Sequence, residues 1–144
     1  MKVSVILRKK GSNSVATIEP DATVADAVGR LSDHRIGALV VSRDGTSVAG
    51  IISERDIVSR LGAEGAGVLS SSVAHVMTSH VECCIGDDTA LDVLARMTDG
   101  RFRHMPVLDA DKQLSGILSI GDVVKARLEE IEAENAAMAD MLSG

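Results

Sequence analysis

Two short motifs in this sequence have the residue types and spacing of a site for a phosphate and a ribose. They lie at 53–56 (SERD) and 119–122 (SIGD), and each directly follows a short apolar stretch. A serine where a strand gives way to a helix can bind phosphate together with the free N–H groups of the helix N-terminus. An aspartate three residues later can accept two hydrogen bonds from a ribose diol. The candidate residues are Ser53, Arg55, Asp56, Ser119, Gly121 and Asp122.

The same Ser-x-x-Asp spacing also has an ordinary structural interpretation. A serine hydroxyl that accepts from the N–H three residues later is a common helix cap. Thr23-x-x-Asp26 and Thr89-x-x-Asp92 show this pattern without following an apolar strand directly. Capping and ligand binding do not exclude each other, so both interpretations stay open at 53–56 and 119–122.

Arg103 and His104 are a second candidate group, because they precede an apolar strand and carry nitrogen donors. Arginine suits phosphate through its planar, bidentate donors. The alternatives are a surface charge at Arg103 and a histidine with satisfied hydrogen bonds at His104.

The chain repeats itself, and the repeat predicts the elements that must position these residues. TVADAVGRL at 23–31 matches TALDVLARM at 89–97, and GIISERDIV at 50–58 matches GILSIGDVV at 116–124, both at an offset of 66. Between them, IGALVV at 36–41 is aligned with RHMPVL at 103–108 at an offset of 67. Periodicity and turn residues predict strand, helix, two strands and helix in each repeat.

The repeats are expected to pack together, because a unit of about 50 residues buries too little surface alone. The predicted fold class is therefore α+β, with two β-α-β-β-α repeats packed as a pseudo-twofold pair. The predicted boundaries are an N-terminal segment at 1–14, the repeats at 15–61 and 73–128, a connector of flexible composition at 62–72 and a C-terminal helix at 129–144.

Composition and missing motifs exclude several classes of function. The 144 residues carry a net charge of −6 with scattered basic residues, which argues against nucleic-acid binding. No apolar run approaches the ~20 residues of a membrane span, so we expect a cytoplasmic protein with no membrane contact. No catalytic motif is present, so we do not expect an enzyme. The histidines do not fit the usual spacing of metal ligands. The adjacent Cys83 and Cys84 point to opposite faces of a strand and cannot both bind one metal, so no metal is expected.

The C-terminal helix carries apolar residues at alternating steps of four and three. This heptad-like seam, with one polar residue in it, predicts a homodimer contact. An ordinary amphipathic helix packed on its own domain is the alternative. The seam consists of Val124, Leu128, Ile131, Asn135, Met138 and Leu142.

The repeat resembles the CBS domain, and the pair resembles the tandem form called a Bateman module. The strings IGALVV, GIISERDIV, VMTSHV, RFRHMPV and GILSIGDVV carry the resemblance in this order. It implies a regulatory module that binds AMP, NAD(H), ADP, ATP or S-adenosylmethionine between its repeats, dimerises and signals to an unidentified effector protein. A structural interaction protein with empty clefts, or an accessory subunit, is the alternative.

The resemblance also implies roles for individual residues. The serine contacts phosphate and the aspartate contacts ribose, while Arg103 and His104 face the phosphate of the second-repeat ligand. The first repeat has no cation at the positions aligned with this pair, so the two sites should differ unless Arg35 or Arg55 compensates. The remaining implied contacts are Met105 and Pro106 beside adenine, Ile36, Gly37 and Ala38 in the first repeat, and backbone groups near Ala16, Thr17, Glu82 and Cys83.

Overall fold

The computed structural model describes residues 1–11 and 15–143. In the first repeat, β1 (Thr17–Ile18), β2 (Ala38–Val41) and β3 (Gly50–Ser53) form one sheet in that order, with α2 (Val24–His34) and α3 (Glu54–Glu64). Strand β1 is parallel to β2, and β2 is antiparallel to β3. The helix before β1 is α1 (Val3–Lys10).

The second repeat has the same order of elements. Its sheet contains β4 (Cys84–Ile85), β5 (His104–Leu108) and β6 (Leu114–Ser119), again parallel and then antiparallel. Its helices are α5 (Ala90–Gly100) and α6 (Ile120–Ser143), and a short helix, α4 (Val73–Val76), precedes β4. The predicted α+β class and strand order are therefore confirmed.

All four main helices begin with the caps that the sequence predicted. In each, the hydroxyl of the cap residue accepts from the backbone N–H three residues later at 3.1–3.2 Å. This satisfies one of the N–H groups that a helix N-terminus leaves unpaired. The cap residues are Thr23, Ser53, Thr89 and Ser119.

Strand register corrects the predicted alignment of the two repeats. Ala38 pairs with Ser53, and His104 pairs with Ser119, so Ala38 corresponds to His104 and the offset stays at 66. The offset of 67 in this segment was wrong, and the counterpart of Arg103 is Gly37 rather than Ile36. All four residues of β2 are buried, so no alternation of apolar and polar residues marks its register in the sequence. With the corrected alignment, the first repeat still has no cation at the positions equivalent to Arg103 and His104.

The two repeats exchange their preceding helices. Val3 and Ile6 of α1 lie in the core of the second repeat, where the Val3 N–H donates to the Asp88 carbonyl at 2.8 Å. Val73 and Val76 of α4 lie in the core of the first repeat. The segment predicted to begin the second unit therefore closes the first, and part of the N-terminal segment closes the second.

The glycine- and serine-rich connector is largely helical. Helix α3 continues to Glu64, and Ala66–Ser70 form a 3-10 helix. Val68 is buried in the first core, which fixes this segment against α2 and α3. Composition alone suggested flexibility, because small residues surround the two apolar residues, Val68 and Leu69, that pack on the first core.

Helix α6 is 24 residues long and extends well past the second core. Val123 and Ala126 are buried, whereas the predicted seam residues Val124, Leu128 and Ile131 are 40%, 55% and 41% exposed. Within residues 1–11 and 15–143, no helix is long and apolar enough to cross a membrane.

Candidate functional site

A cleft of about 810 Å³ lies where the two repeats meet. The first repeat contributes the start of α3 and the residue before β2. The second contributes the end of α5 with the start of β5, and 78–82 adds a third wall. The lining residues are Gly37, Ile51, Ser53, Glu54, Arg55, Asp56, Val58, Thr78, His80, Val81, Glu82, Gly100, Arg101, Phe102, Arg103 and His104.

Ser53 and Asp56 form a closed capping box at one wall of this cleft. The Ser53 N–H and Oγ donate to Asp56 Oδ2 at 2.9 and 3.0 Å. Asp56 Oδ1 accepts from the Thr78 hydroxyl at 3.3 Å. A carboxylate has about four acceptor positions, so the half-buried Asp56 retains acceptor capacity toward the cleft.

Three arginines converge on the same cleft. Arg55 lies in the first turn of α3, and Arg101 and Arg103 flank Phe102 at the opposite wall. All three are exposed, and none forms a salt bridge within the described part of the chain. Arg101 adopts a left-handed conformation with φ of 57°, which ends α5 and turns the chain into β5. Guanidinium groups with no carboxylate partner in a cleft suit an anionic ligand.

The His104 ring of the second repeat lies close to Gly37 of the first. A Cβ on Gly37 would lie 3.3 Å from the His104 ring, so a side chain at 37 would require the ring to shift by a few tenths of an ångström. Burial lowers the pKa of His104, Glu54 and Asp122 oppose that effect, and Lys10 and Arg103 add to it. The imidazole is therefore neutral near pH 7 and lies near both Ser-x-x-Asp motifs.

The structure groups the predicted site residues differently from what the sequence suggested. Arg103 and His104 were expected to serve the second-repeat motif, but they line the cleft of Ser53 and Asp56. The reason is the contact between Gly37 and His104, which sets the start of β5 beside the N-terminus of α3. The predicted residues in this cleft are Gly37, Ser53, Arg55, Asp56, Glu82, Arg103 and His104.

The other predicted residues lie away from the cleft lining. Met105, Pro106 and Ala38 are buried in their strands, and Ile36 packs on the first core. The Cys83 carbonyl accepts from Arg96, and burial raises the pKa of the Cys83 thiol. Ala16 and Thr17 lie at β1, while Ser119, Gly121 and Asp122 lie at the β6–α6 junction.

Sequence reasoning missed Thr78, His80, Arg101 and Phe102 as site residues. Thr78 and His80 belong to the string VMTSHV, and Arg101 and Phe102 belong to RFRHMPV, both of which carried the resemblance. The signal was therefore present, but only the packing of the repeats shows that these residues line the same cleft as Ser53 and Asp56.

The second Ser-x-x-Asp motif has a different partner. The Ser119 N–H donates to Asp122 Oδ2 at 2.9 Å, and the Lys10 ammonium donates to the same oxygen at 3.0 Å. Burial opposes the shift, but the bonds from Ser119 and Lys10 lower the pKa of Asp122 overall. Across the described ranges, 1–11 and 15–143, no cluster of three or more His, Cys, Asp or Glu residues could hold a metal.

The fold and the cleft define a tandem pair of α+β repeats that share a cavity lined by three arginines and several apolar side chains. The family model for the CBS domain matches residues 11–63 and 73–129. The chain belongs to the CBS domain family, as the resemblance predicted. Proteins with such pairs are generally regulatory modules, and no catalytic family is indicated.

Known proteins and structures support the same assignment. The mitochondrial CBS domain-containing protein CBSX3 of Arabidopsis thaliana is 35% identical over 139 residues, covering 92% of this chain and 67% of that protein. The CBS-domain containing protein ATU1752 of Agrobacterium tumefaciens is 43% identical, with a TM-score of 0.83 over 88% of this chain and 99% of that chain. CBSX2, solved in complex with AMP, is 25% identical, with a TM-score of 0.71 over 89% and 96%.

Proposed function

We propose that this chain is a regulatory module that binds an adenosine nucleotide in the cleft between its repeats and passes the state of that cleft to a partner protein. The main support for this proposal is that the Ser-x-x-Asp cap of the first repeat, three arginines and His104 line the same cleft. The AMP bound by CBSX2 supports the choice of ligand class. NAD(H), ADP and ATP are the other members of that class to be tested.

The residues divide into a phosphate end and a ribose end. Ser53 offers a hydroxyl and the first turn of α3 offers the Arg55 N–H, because the Glu54 N–H already donates to the Gly37 carbonyl and the Asp56 N–H to Ser53 Oγ. Arg101 and Arg103 add charge from the other repeat. Asp56 accepts from the ribose diol in this proposal. Ile51, Val58 and Val81 give the cleft an apolar surface for the adenine ring, next to the backbone at Glu82.

The cleft is also large enough for this class of ligand. Its volume of about 810 Å³ falls within the ~300–1,000 Å³ typical of small-molecule sites. The arginines make the phosphate a principal contact, because charge-assisted hydrogen bonds are roughly twice as strong as neutral ones.

Calorimetry of the whole chain with AMP, ADP, ATP, NAD⁺, NADH, S-adenosylmethionine and adenosine tests the proposal. We expect saturable binding of at least one nucleotide, and an affinity for adenosine roughly tenfold or more below that for AMP because the arginines lose their partner. No heat and no thermal stabilisation with any of these compounds would instead favour a structural interaction protein.

We also propose that the chain forms a homodimer through α6. Leu128, Ile131 and Met138 lie at heptad-like spacing and are 55%, 41% and 61% exposed. Sedimentation velocity at micromolar concentration should show a dimer, and Ile131→Glu should shift it toward monomer. A monomeric parent protein under these conditions would refute this assembly.

A further inference from the structure

We infer that Lys10 acts as an internal counter-ion that keeps the second Ser-x-x-Asp motif from binding nucleotide, so that the chain binds one nucleotide and not two. This inference rests on the proposed function of the first cleft. It concerns a specificity-determining residue outside both motifs, on the helix exchanged between the repeats.

The two motifs share the serine-to-aspartate cap but differ in what else reaches their aspartates. Asp56 and Asp122 both accept from the N–H of their cap serine at 2.9 Å. Thr78 then brings a neutral hydroxyl to Asp56 at 3.3 Å. Lys10 instead brings an ammonium to Asp122 at 3.0 Å.

Lys10 also replaces the backbone contact that Thr78 makes. The Thr78 N–H donates to the Ile51 carbonyl at 2.8 Å, and in the second repeat the Lys10 ammonium donates to the Ile117 carbonyl at 3.1 Å. Ile51 and Ile117 are equivalent at the offset of 66. One side chain thus binds both the strand edge and the carboxylate that a ribose would need.

Helix α1 holds Lys10 in this position. Val3 and Ile6 are buried in the second core, and Leu7 packs directly over Gly116. The ammonium therefore reaches Asp122 from a fixed helix, and the Lys10 and Asp122 side chains are only 35% and 24% exposed. A neutral ribose diol must displace a preorganised bond between two full charges to bind there, whereas at Asp56 it meets only the long 3.3 Å bond from the Thr78 hydroxyl.

Lys10→Met tests this inference, because methionine keeps much of the aliphatic stem and removes the charge. Lys9→Met is the matched control: Lys9 is the adjacent residue of α1, and its ammonium pairs with Glu129 at 3.3 Å. Calorimetry with AMP should show one binding event for the parent chain and for Lys9→Met. Lys10→Met should show a second event, at least about tenfold tighter than any second binding by the parent.

Further variants separate the outcomes. Adding Asp122→Asn to Lys10→Met should abolish the second event and leave the first, and Lys10→Gln provides an independent neutral variant. Two equal events in the parent, no second event in either Lys10 variant, or weaker AMP binding in them would overturn the role of Lys10 while leaving the first cleft intact. Absence of AMP binding in every protein would overturn the proposed function itself.

Discussion

Asp56→Asn is expected to weaken AMP binding by roughly tenfold to a hundredfold, because a charge-assisted bond to a ribose hydroxyl becomes a neutral one. Asparagine has nearly the same shape, and its carbonyl oxygen can still accept from the Ser53 N–H that now donates to Asp56 at 2.9 Å. The fold should therefore persist. Calorimetry with AMP and with adenosine measures the effect.

The comparison with adenosine separates ribose binding from general electrostatics. Removing the Asp56 charge also relieves repulsion of a nearby phosphate, so the loss for adenosine should equal or exceed the loss for AMP. Unchanged binding of both compounds, or tighter binding of adenosine, would contradict the assignment of Asp56 to the ribose.

Asp26→Asn is the matched control for the structural part of this change. Thr23 and Asp26 form the same reciprocal capping box at the start of α2, and they do not line the cleft. The variant should lose a similar amount of stability as Asp56→Asn and keep the AMP affinity of the parent. Equal losses of affinity in both variants would show that the effect of Asp56 comes from helix capping.

Gly50→Ala is expected to lower the free energy of unfolding by about 3 kcal/mol, which is at the upper end for overpacking. A Cβ at Gly50 would lie 2.7 Å from the Thr78 carbonyl oxygen and 2.8 Å from Met77 Sδ. Thr78 cannot retreat easily, because its backbone exchanges two hydrogen bonds with Ile51 at 2.8 and 2.9 Å. Urea unfolding measures the loss.

Gly116→Ala is the matched control at the equivalent position of the second repeat. There a Cβ would meet the Leu7 Cδ atoms at 2.8 and 2.9 Å, which are the end of a flexible side chain and not backbone. Leu7 is only partly buried and can rotate away, so we expect a loss of about 1 kcal/mol or less. Similar losses for the two variants would mean that the 77–78 backbone relaxes as readily as a side chain.

The sequence determined the local structure well. The duplicated strings predicted both repeats, and the four Thr or Ser caps predicted where α2, α3, α5 and α6 begin. These features are encoded within a few residues, because a cap needs only a hydroxyl and an N–H three positions later. The CBS family membership followed from the order of such strings.

The composition of the site was only partly predictable. Ser53 and Asp56 could be recognised from their own motif, and Arg103 and His104 from their charge before a strand. Their meeting in one cleft depends on the close approach of β5 to Gly37. Thr78 and Arg101 lie within strings that carried the family resemblance, but nothing local in the sequence placed them in the cleft of Ser53 and Asp56.

Only the tertiary structure decided which repeat each segment serves. Helix α1 precedes the first repeat but packs in the core of the second, and α4 precedes the strands of the second repeat but packs in the core of the first. Through this exchange Thr78 reaches Asp56, and Lys10 reaches Asp122. A buried apolar face specifies that a helix must pack, but not against which of two similar cores. The sequence by itself therefore determined two Ser-x-x-Asp motifs, and the packing of two short helices decided which side chain reaches each aspartate.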